Sequence, residues 1–103
     1  MMNLTREFIR SNVADSAVIY QRGVRIYEHG SFLLKEADLD KGTFTYEIDG
    51  NYGDYTTWLQ FTDRELVSAC DCPYPGNGCK HTVAALLDSL DVIQRWQPAP
   101  IVA

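Results

Sequence analysis

The chain has 103 residues, the length of one domain, of which 46% are hydrophobic and 22% are charged. This balance supplies enough apolar side chains for a core and argues against intrinsic disorder. No apolar run approaches the ~18 residues that a membrane-spanning helix needs. The first residues lack the apolar core of a secretory signal, so we expect a cytoplasmic protein. The net charge is −5, which argues against duplex binding as the only function, because dedicated nucleic-acid-binding proteins usually carry a basic excess.

Two helices are predicted in the N-terminal third. Thr5 is a candidate cap for a short helix over 5–10. The next stretch fits a helical spacing of its apolar residues, but it also fits a broken two-residue alternation. We favour a helix over about 15–28 that ends before Gly30, although Gly23 lies inside it and lowers its helical propensity.

Four strands are predicted in the middle of the chain, over 32–37, 43–48, 55–62 and 65–69. These segments are rich in β-branched and aromatic residues, and short turns with glycine or aspartate separate them, which indicates an antiparallel meander. We expect the turn aspartates to stabilise the turns, because they lack the spacing of a calcium loop. Alternation along the third strand turns Trp58 away from the face that carries Tyr55, and a sheet covered on both sides would hide it.

A helix over about 79–91 is the last predicted element. Its apolar stripe consists of Val83, Leu86, Leu87 and Leu90. Two aspartates, Asp88 and Asp91, lie opposite that stripe. Asn77 is a candidate cap. Residues 97–103 contain two prolines and are typical of a linker. We therefore expect one domain over 1–96 and a linker-like tail that continues into a longer protein.

The three cysteines carry the most information. Cys70, Cys72 and Cys79 fall within ten residues, and His81 follows two places after the last of them. An odd count excludes a fully paired set of disulfides within the chain. Three sulfurs and one imidazole are the number and kind of ligands that a structural zinc site needs. Because protein would fill all four positions, we expect one structural Zn²⁺ within 70–81 and no catalytic metal.

Other interpretations of this cluster stay open. The cysteines could be small buried hydrophobic residues, Cys70-x-Cys72 could be a redox dithiol, and Cys79 with His81 could be a nucleophile pair. Iron–sulfur ligation by the same four residues is a further alternative. Zinc is favoured because one ligand pair leaves a strand and the other enters a helix, with a Pro/Gly-rich loop between them that can close a tetrahedron.

The spacing of the four candidate ligands resembles the pattern of SWIM zinc fingers: Cys70-x-Cys72, a six-residue loop, then Cys79-x-His81. Residues 72–74 and 79–87 are also similar to what that family shows around its ligands. More loosely, 22–27 and the strands that follow resemble the N-terminal region of bacterial Snf2-type helicase-like proteins that carry SWIM. The resemblance implies a zinc-binding appendage of a larger ATPase, which contacts protein or DNA. Any ATPase or helicase activity would then lie outside these residues.

These observations predict an α+β fold, in which an N-terminal helical segment packs on an antiparallel sheet of about four strands and a zinc knuckle fastens the last strand to the C-terminal helix. We expect a zinc-stabilised interaction module with a protein partner. The alternatives are a DNA-binding module that uses Lys80, Arg22 and Arg25, and a thiol enzyme. The arginines at 6, 10, 22 and 25 with nearby tyrosines could form a basic face, although a solvated helix side is favoured. His29 is expected at the surface.

Overall fold

The structure, a computed structural model, describes residues 4–50, 53–62, 65–74 and 78–96. Within them, helices and a four-stranded antiparallel sheet form an α+β fold, as the sequence predicts. None of the helices in this part of the chain has both the length and the apolarity to cross a membrane. The candidate cap Asn77 and the tail 97–103 lie outside the described residues.

The four strands are β1 (Phe32–Asp38), β2 (Thr43–Gly50), β3 (Gly53–Phe61) and β4 (Leu66–Cys70). Each pairs antiparallel with the next in the order β1-β2-β3-β4, so the predicted meander is confirmed. The sequence locates all four because turn residues separate them, and in β2 apolar and polar side chains also alternate.

One face of the sheet carries the hydrophobic core. In β2, Phe44, Tyr46 and Ile48 are fully buried, while the residues between them are partly exposed. This alternation is that of a strand covered on one side. The described residues place no element over the other face. Trp58 is therefore half-buried on an open face, and the expectation that a second layer hides it is wrong.

Helix α3 (Lys80–Trp96) extends five residues beyond its predicted end. Residues 81–87 are all buried, because the sheet contacts α3 on one side and a second helix contacts it on the other. The predicted single apolar stripe is therefore too narrow. Asp88 was predicted on the solvent side, but it accepts a hydrogen bond of 2.7 Å from the hydroxyl of Tyr46. A helix that packs against neighbours on two sides exposes only a narrow face to solvent, so a single apolar stripe does not identify all of its buried residues.

The N-terminal segment begins with α1 (Arg6–Phe8), which continues as a π-helical turn (Ile9–Val13). We call the two together the N-terminal turn. Thr5 caps α1 by accepting a hydrogen bond of 3.1 Å from the N–H of its last residue, as predicted. Ile9 is fully buried in the core, so this short segment is anchored to the rest of the fold.

The second helix, α2 (Ala17–His29), begins two residues later and ends one residue later than predicted. Ser16 caps it by accepting from a backbone N–H in its first turn. Gly23 is buried against α3, where a Cβ would overlap the side chain of Val83 and lie 3.0 Å from the carbonyl oxygen of Lys80. The glycine that weakens the helical prediction is therefore what lets α2 approach α3 closely.

Candidate metal centre

The structure brings all four predicted ligands together. The ligand atoms of Cys70, Cys72, Cys79 and His81 lie within 4.8 Å of one another. The Sγ of Cys70 is 3.9 Å from the Nδ1 of His81. A tetrahedral zinc ion sets such atoms roughly 3.5–3.8 Å apart, so a small side-chain adjustment closes the site. The cluster is thus able to hold one metal ion.

The first ligand pair is held where β4 ends at Cys70. Asp71 continues the pairing with β3, because its N–H donates to the carbonyl oxygen of Thr56 at 3.2 Å. In return, the N–H of Thr56 donates to the carboxylate of Asp71 at 2.8 Å. This exchange fixes the backbone between Cys70 and Cys72. Sequence reasoning missed Asp71, although an aspartate at a strand end commonly bonds to nearby backbone groups.

The second ligand pair lies at the start of α3. Cys79 precedes the helix, and its sulfur accepts from the N–H of Thr82 at 3.4 Å. That contact places the cysteine sulfur where a capping oxygen normally sits, on an N–H of the first helical turn. His81 lies in the same turn and is only 4% exposed. The metal ligands therefore also terminate and orient this end of α3.

Val13, the last residue of the N-terminal turn, and Asp15, which follows it, contact both ends of the loop between the two ligand pairs. The hydroxyl of Tyr74 donates to the carboxylate of Asp15 at 2.9 Å, and the N–H of Asp15 donates to the carbonyl oxygen of Gly78 at 3.3 Å. A Cβ at Gly78 would overlap the carbonyl oxygen of Val13. We call these four residues the loop clamp. The sequence analysis did not find it.

The polar surroundings of the sulfurs favour a bound cation. The thiol of Cys70 lowers the pKa of Cys79 to about 3, and hydrogen bonds from His81 and Thr82 act in the same direction. The same sulfur–sulfur interaction, together with burial, raises the pKa of Cys70. Cys79 also lies at the N-terminus of α3, where the helix dipole favours negative charge. Because the thiolate is the form that binds metal, the cluster suits a soft divalent cation.

His81 supplies a second observation that fits a metal. Its ring lies 5.1 Å from that of Tyr55, centroid to centroid. Its Nε2 is buried and has no hydrogen-bond partner in the described part of the chain, while its Nδ1 faces the sulfur of Cys70. An unpaired buried polar atom is costly. A metal at the cluster would bond one ring nitrogen and fix which nitrogen carries the proton.

The other candidate residues do not join the cluster. His29 is exposed at the end of α2, as predicted. The four arginines do not form one basic face: the guanidinium of Arg6 lies 5.7 Å from the ring of Tyr27, and Arg10 pairs with Glu7 at 2.9 Å. The other two, at positions 22 and 25, lie with Lys80 along the junction of α2 and α3.

No family model, curated protein or solved structure matches this chain. The similarity of its Cys/His spacing to SWIM zinc fingers therefore stays a prediction from the motif. The geometry of the cluster stands independently of it: four nitrogen and sulfur ligands, two before α3 and two at its start, lie close enough to hold one ion.

Proposed function

We propose that this chain is a SWIM-type zinc-binding module, in which Cys70, Cys72, Cys79 and His81 hold one structural Zn²⁺. The observation that carries the proposal is the convergence of their four ligand atoms within 4.8 Å. Thiolate and imidazole ligands select zinc and other soft ions over calcium or magnesium. With four protein ligands on the ion, no position is left for a substrate or a reactive water. The ion would therefore act by joining β4 to α3.

In this proposal the module is a regulatory or targeting appendage of a larger Snf2/helicase-like ATPase and acts through protein contacts. The similarity of the ligand spacing to SWIM fingers supports this role. The acidic net charge of −5 favours a protein partner over a polyanion. ATPase or helicase activity would belong to other parts of the longer protein.

DNA binding is a second candidate, and one observation favours it. Arg22 and Arg25 are exposed, Lys80 is half-buried, and none of the three forms an ion pair within the described residues. Unpaired cations are the groups that neutralise phosphates. DNA binding would show as an affinity for labelled DNA that falls steeply with salt. Failure to bind at low salt would remove this candidate.

Native mass spectrometry with metal analysis tests the zinc proposal. We expect one zinc per chain, and loss of circular dichroism signal and of cooperative unfolding when a chelator removes it. A chain without metal whose fold survives chelation would overturn the proposal. In that case thiol chemistry at the three cysteines would become the leading interpretation.

A further inference from the structure

We propose that the cavity and groove at the junction of α2 and α3 bind an acidic peptide segment that carries one apolar side chain. The inference names a partner class for the interaction module proposed above. It rests on that proposal in one respect, because the metal-held loop forms one wall of the cavity.

The cavity has a volume of about 290 Å³, and the metal cluster forms part of its wall, because Cys72, Cys79 and His81 line it. Its apolar lining comes from Ile19 on α2, Tyr55 on β3, and Pro73 and Tyr74 in the loop after β4. This volume is at the lower limit for small-molecule sites, which typically measure about 300–1,000 Å³. It therefore suits a single aromatic or aliphatic side chain better than an extended ligand.

Cations surround the mouth of this cavity. Arg22 and Lys80 line it, and both also line an adjoining groove of about 480 Å³ that carries Arg25 and His29. No carboxylate among the described residues lines either space. The nearby carboxylate of Asp15 accepts a hydrogen bond from the hydroxyl of Tyr74, and it reduces the excess of positive charge here. In a chain with five more acidic than basic residues, this local excess of positive charge is complementary to an anionic partner.

The packing of the helices fixes the backbone that carries Arg22 and Lys80. Gly23 lies against Val83 and the backbone of Lys80, so Arg22 of α2 is held beside the first residue of α3. A zinc ion with three thiolates and a neutral imidazole carries a net charge of −1. With the carboxylate of Asp15 beside Tyr74 also counted, the three cations at positions 22, 25 and 80 leave one positive charge in excess. The site is therefore preorganised for negative charge, which lowers the cost of binding.

A peptide fits these features better than a nucleic acid does. A protein that binds duplex DNA typically neutralises about 6–10 phosphates, whereas this surface offers three Lys/Arg side chains. An apolar cavity bordered by cations matches the anatomy of a protein interface, in which a buried anchor side chain is surrounded by polar contacts. The groove would hold the acidic residues, and the cavity would hold the anchor.

Titration with synthetic probes tests the proposal on the zinc-loaded chain. The probe is a peptide with three aspartates on each side of a central phenylalanine. Its binding is monitored through the amide chemical shifts of the protein in NMR spectra. We expect saturable shifts at Ile19, Arg22 and Lys80. Replacing the phenylalanine by alanine, or the aspartates by asparagines, should weaken binding at least about tenfold. If neither replacement weakens binding, or no probe binds, the proposal fails.

The variant Arg22→Glu/Arg25→Glu should weaken peptide binding by about tenfold or more, and it leaves the metal ligands untouched. Lys35→Glu/Lys41→Glu makes the same change of net charge on exposed residues at the other end of the sheet and should bind as the wild type does. An equally long oligothymidylate that binds more tightly than the peptide would overturn the proposal in favour of nucleic acid. Zinc content is measured on every sample, so that the two proposals can be distinguished. A zinc-loaded chain that does not bind the peptide contradicts only this inference, whereas a chain without zinc contradicts the function proposed above.

Discussion

The two ends of α3 are stabilised in different ways. Beyond Val83, the helix residues Leu86 and Leu87 share one hydrophobic core with Phe44 and Ile48 of the sheet, and these four residues are buried. At its start the buried residues are Cys79, His81 and Thr82, and the half-buried sulfurs of Cys70 and Cys72 lie beside them. We call these the apolar end and the metal end. One end is held by removal of apolar surface from water, and the other has sulfur and imidazole groups that require a partner.

This difference means that the two ends can be perturbed separately. A change at the apolar end should lower the stability of the whole domain but leave the ligands able to bind metal. A change at the metal end should first affect metal affinity and then stability, because the ion joins β4 to α3. Each experiment below compares metal content with stability to separate these two effects.

The largest effect is expected from loss of a ligand. Structural zinc contributes about 10–16 kcal/mol of apparent binding free energy in small zinc domains, which is comparable to the whole stability of a domain, about 5–15 kcal/mol. Cys79→Ser should therefore abolish zinc binding and the cooperative thermal transition, as chelation should. Leu86→Ala, at the apolar end, should cost about 2–5 kcal/mol and still hold one zinc per chain. A Cys79→Ser variant that keeps its zinc and melts normally would contradict the comparison.

Two glycine variants sharpen the comparison. Gly78→Ala forces a methyl group onto the carbonyl oxygen of Val13, so it should separate the loop clamp and destabilise the domain by about 1–3 kcal/mol. Because the next residue is the ligand Cys79, its zinc affinity should also fall in competition with a chromogenic chelator. Gly42→Ala meets the backbone carbonyl of Phe61, at the end of β3 away from the ligands, and should lower stability with little change in zinc affinity. Equal zinc affinities for both variants would mean that the loop clamp does not position the ligands.

The next effect concerns the hydrogen bond that ties the apolar end of α3 to the sheet. Tyr46→Phe removes the donor of the 2.7 Å bond to Asp88 and should cost about 1–2 kcal/mol in urea unfolding. Burial, followed by the contact with Asp88, raises the pKa of Tyr46 well above its ordinary value. The folded chain thus keeps a proton that the unfolded chain releases near about pH 10, so this stability is present below that pH and lost as the pH rises above it. As the pH rises above about 10, the free energy of unfolding of the variant should fall less than that of the wild type. An identical fall in both proteins would contradict this role of Tyr46.

The sequence predicts well what depends on neighbouring residues. Turn residues, with alternation in β2, located the strands of the sheet, the caps Thr5 and Gly30 marked helix ends, and the two-residue spacing within each ligand pair identified the cluster. These features follow from local geometry, in which a side chain two places along a strand returns to the same face.

It could not predict contacts between distant segments. The hydrogen bond of the loop clamp joins residues separated by 59 positions, Asp15 and Tyr74, and no periodicity encodes that approach. The bond between Tyr46 and Asp88 spans 42 positions. It explains why Asp88, which the sequence places on the solvent side of α3, accepts a hydrogen bond from the sheet. The half-buried position of Trp58 likewise depends on which elements cover the sheet, and the composition of its strand does not specify that.

The smallest effect lies in the surroundings of a ligand. Thr57 is fully buried in β3, and its hydroxyl donates to the sulfur of Cys70 at 3.3 Å. Thr57→Val keeps the shape of the side chain and removes this donor, so we expect zinc affinity to fall by about tenfold, because hydrogen bonds to a thiolate stabilise its ligating form. Stability of the zinc-loaded protein should change by only about 1 kcal/mol. Thr45→Val makes the same substitution on the open face, half-exposed and opposite Trp58, and should leave zinc affinity unchanged. If the two variants bind zinc equally, the hydroxyl of Thr57 does not tune the ligand, and the metal end would depend on its four ligands and the loop clamp alone.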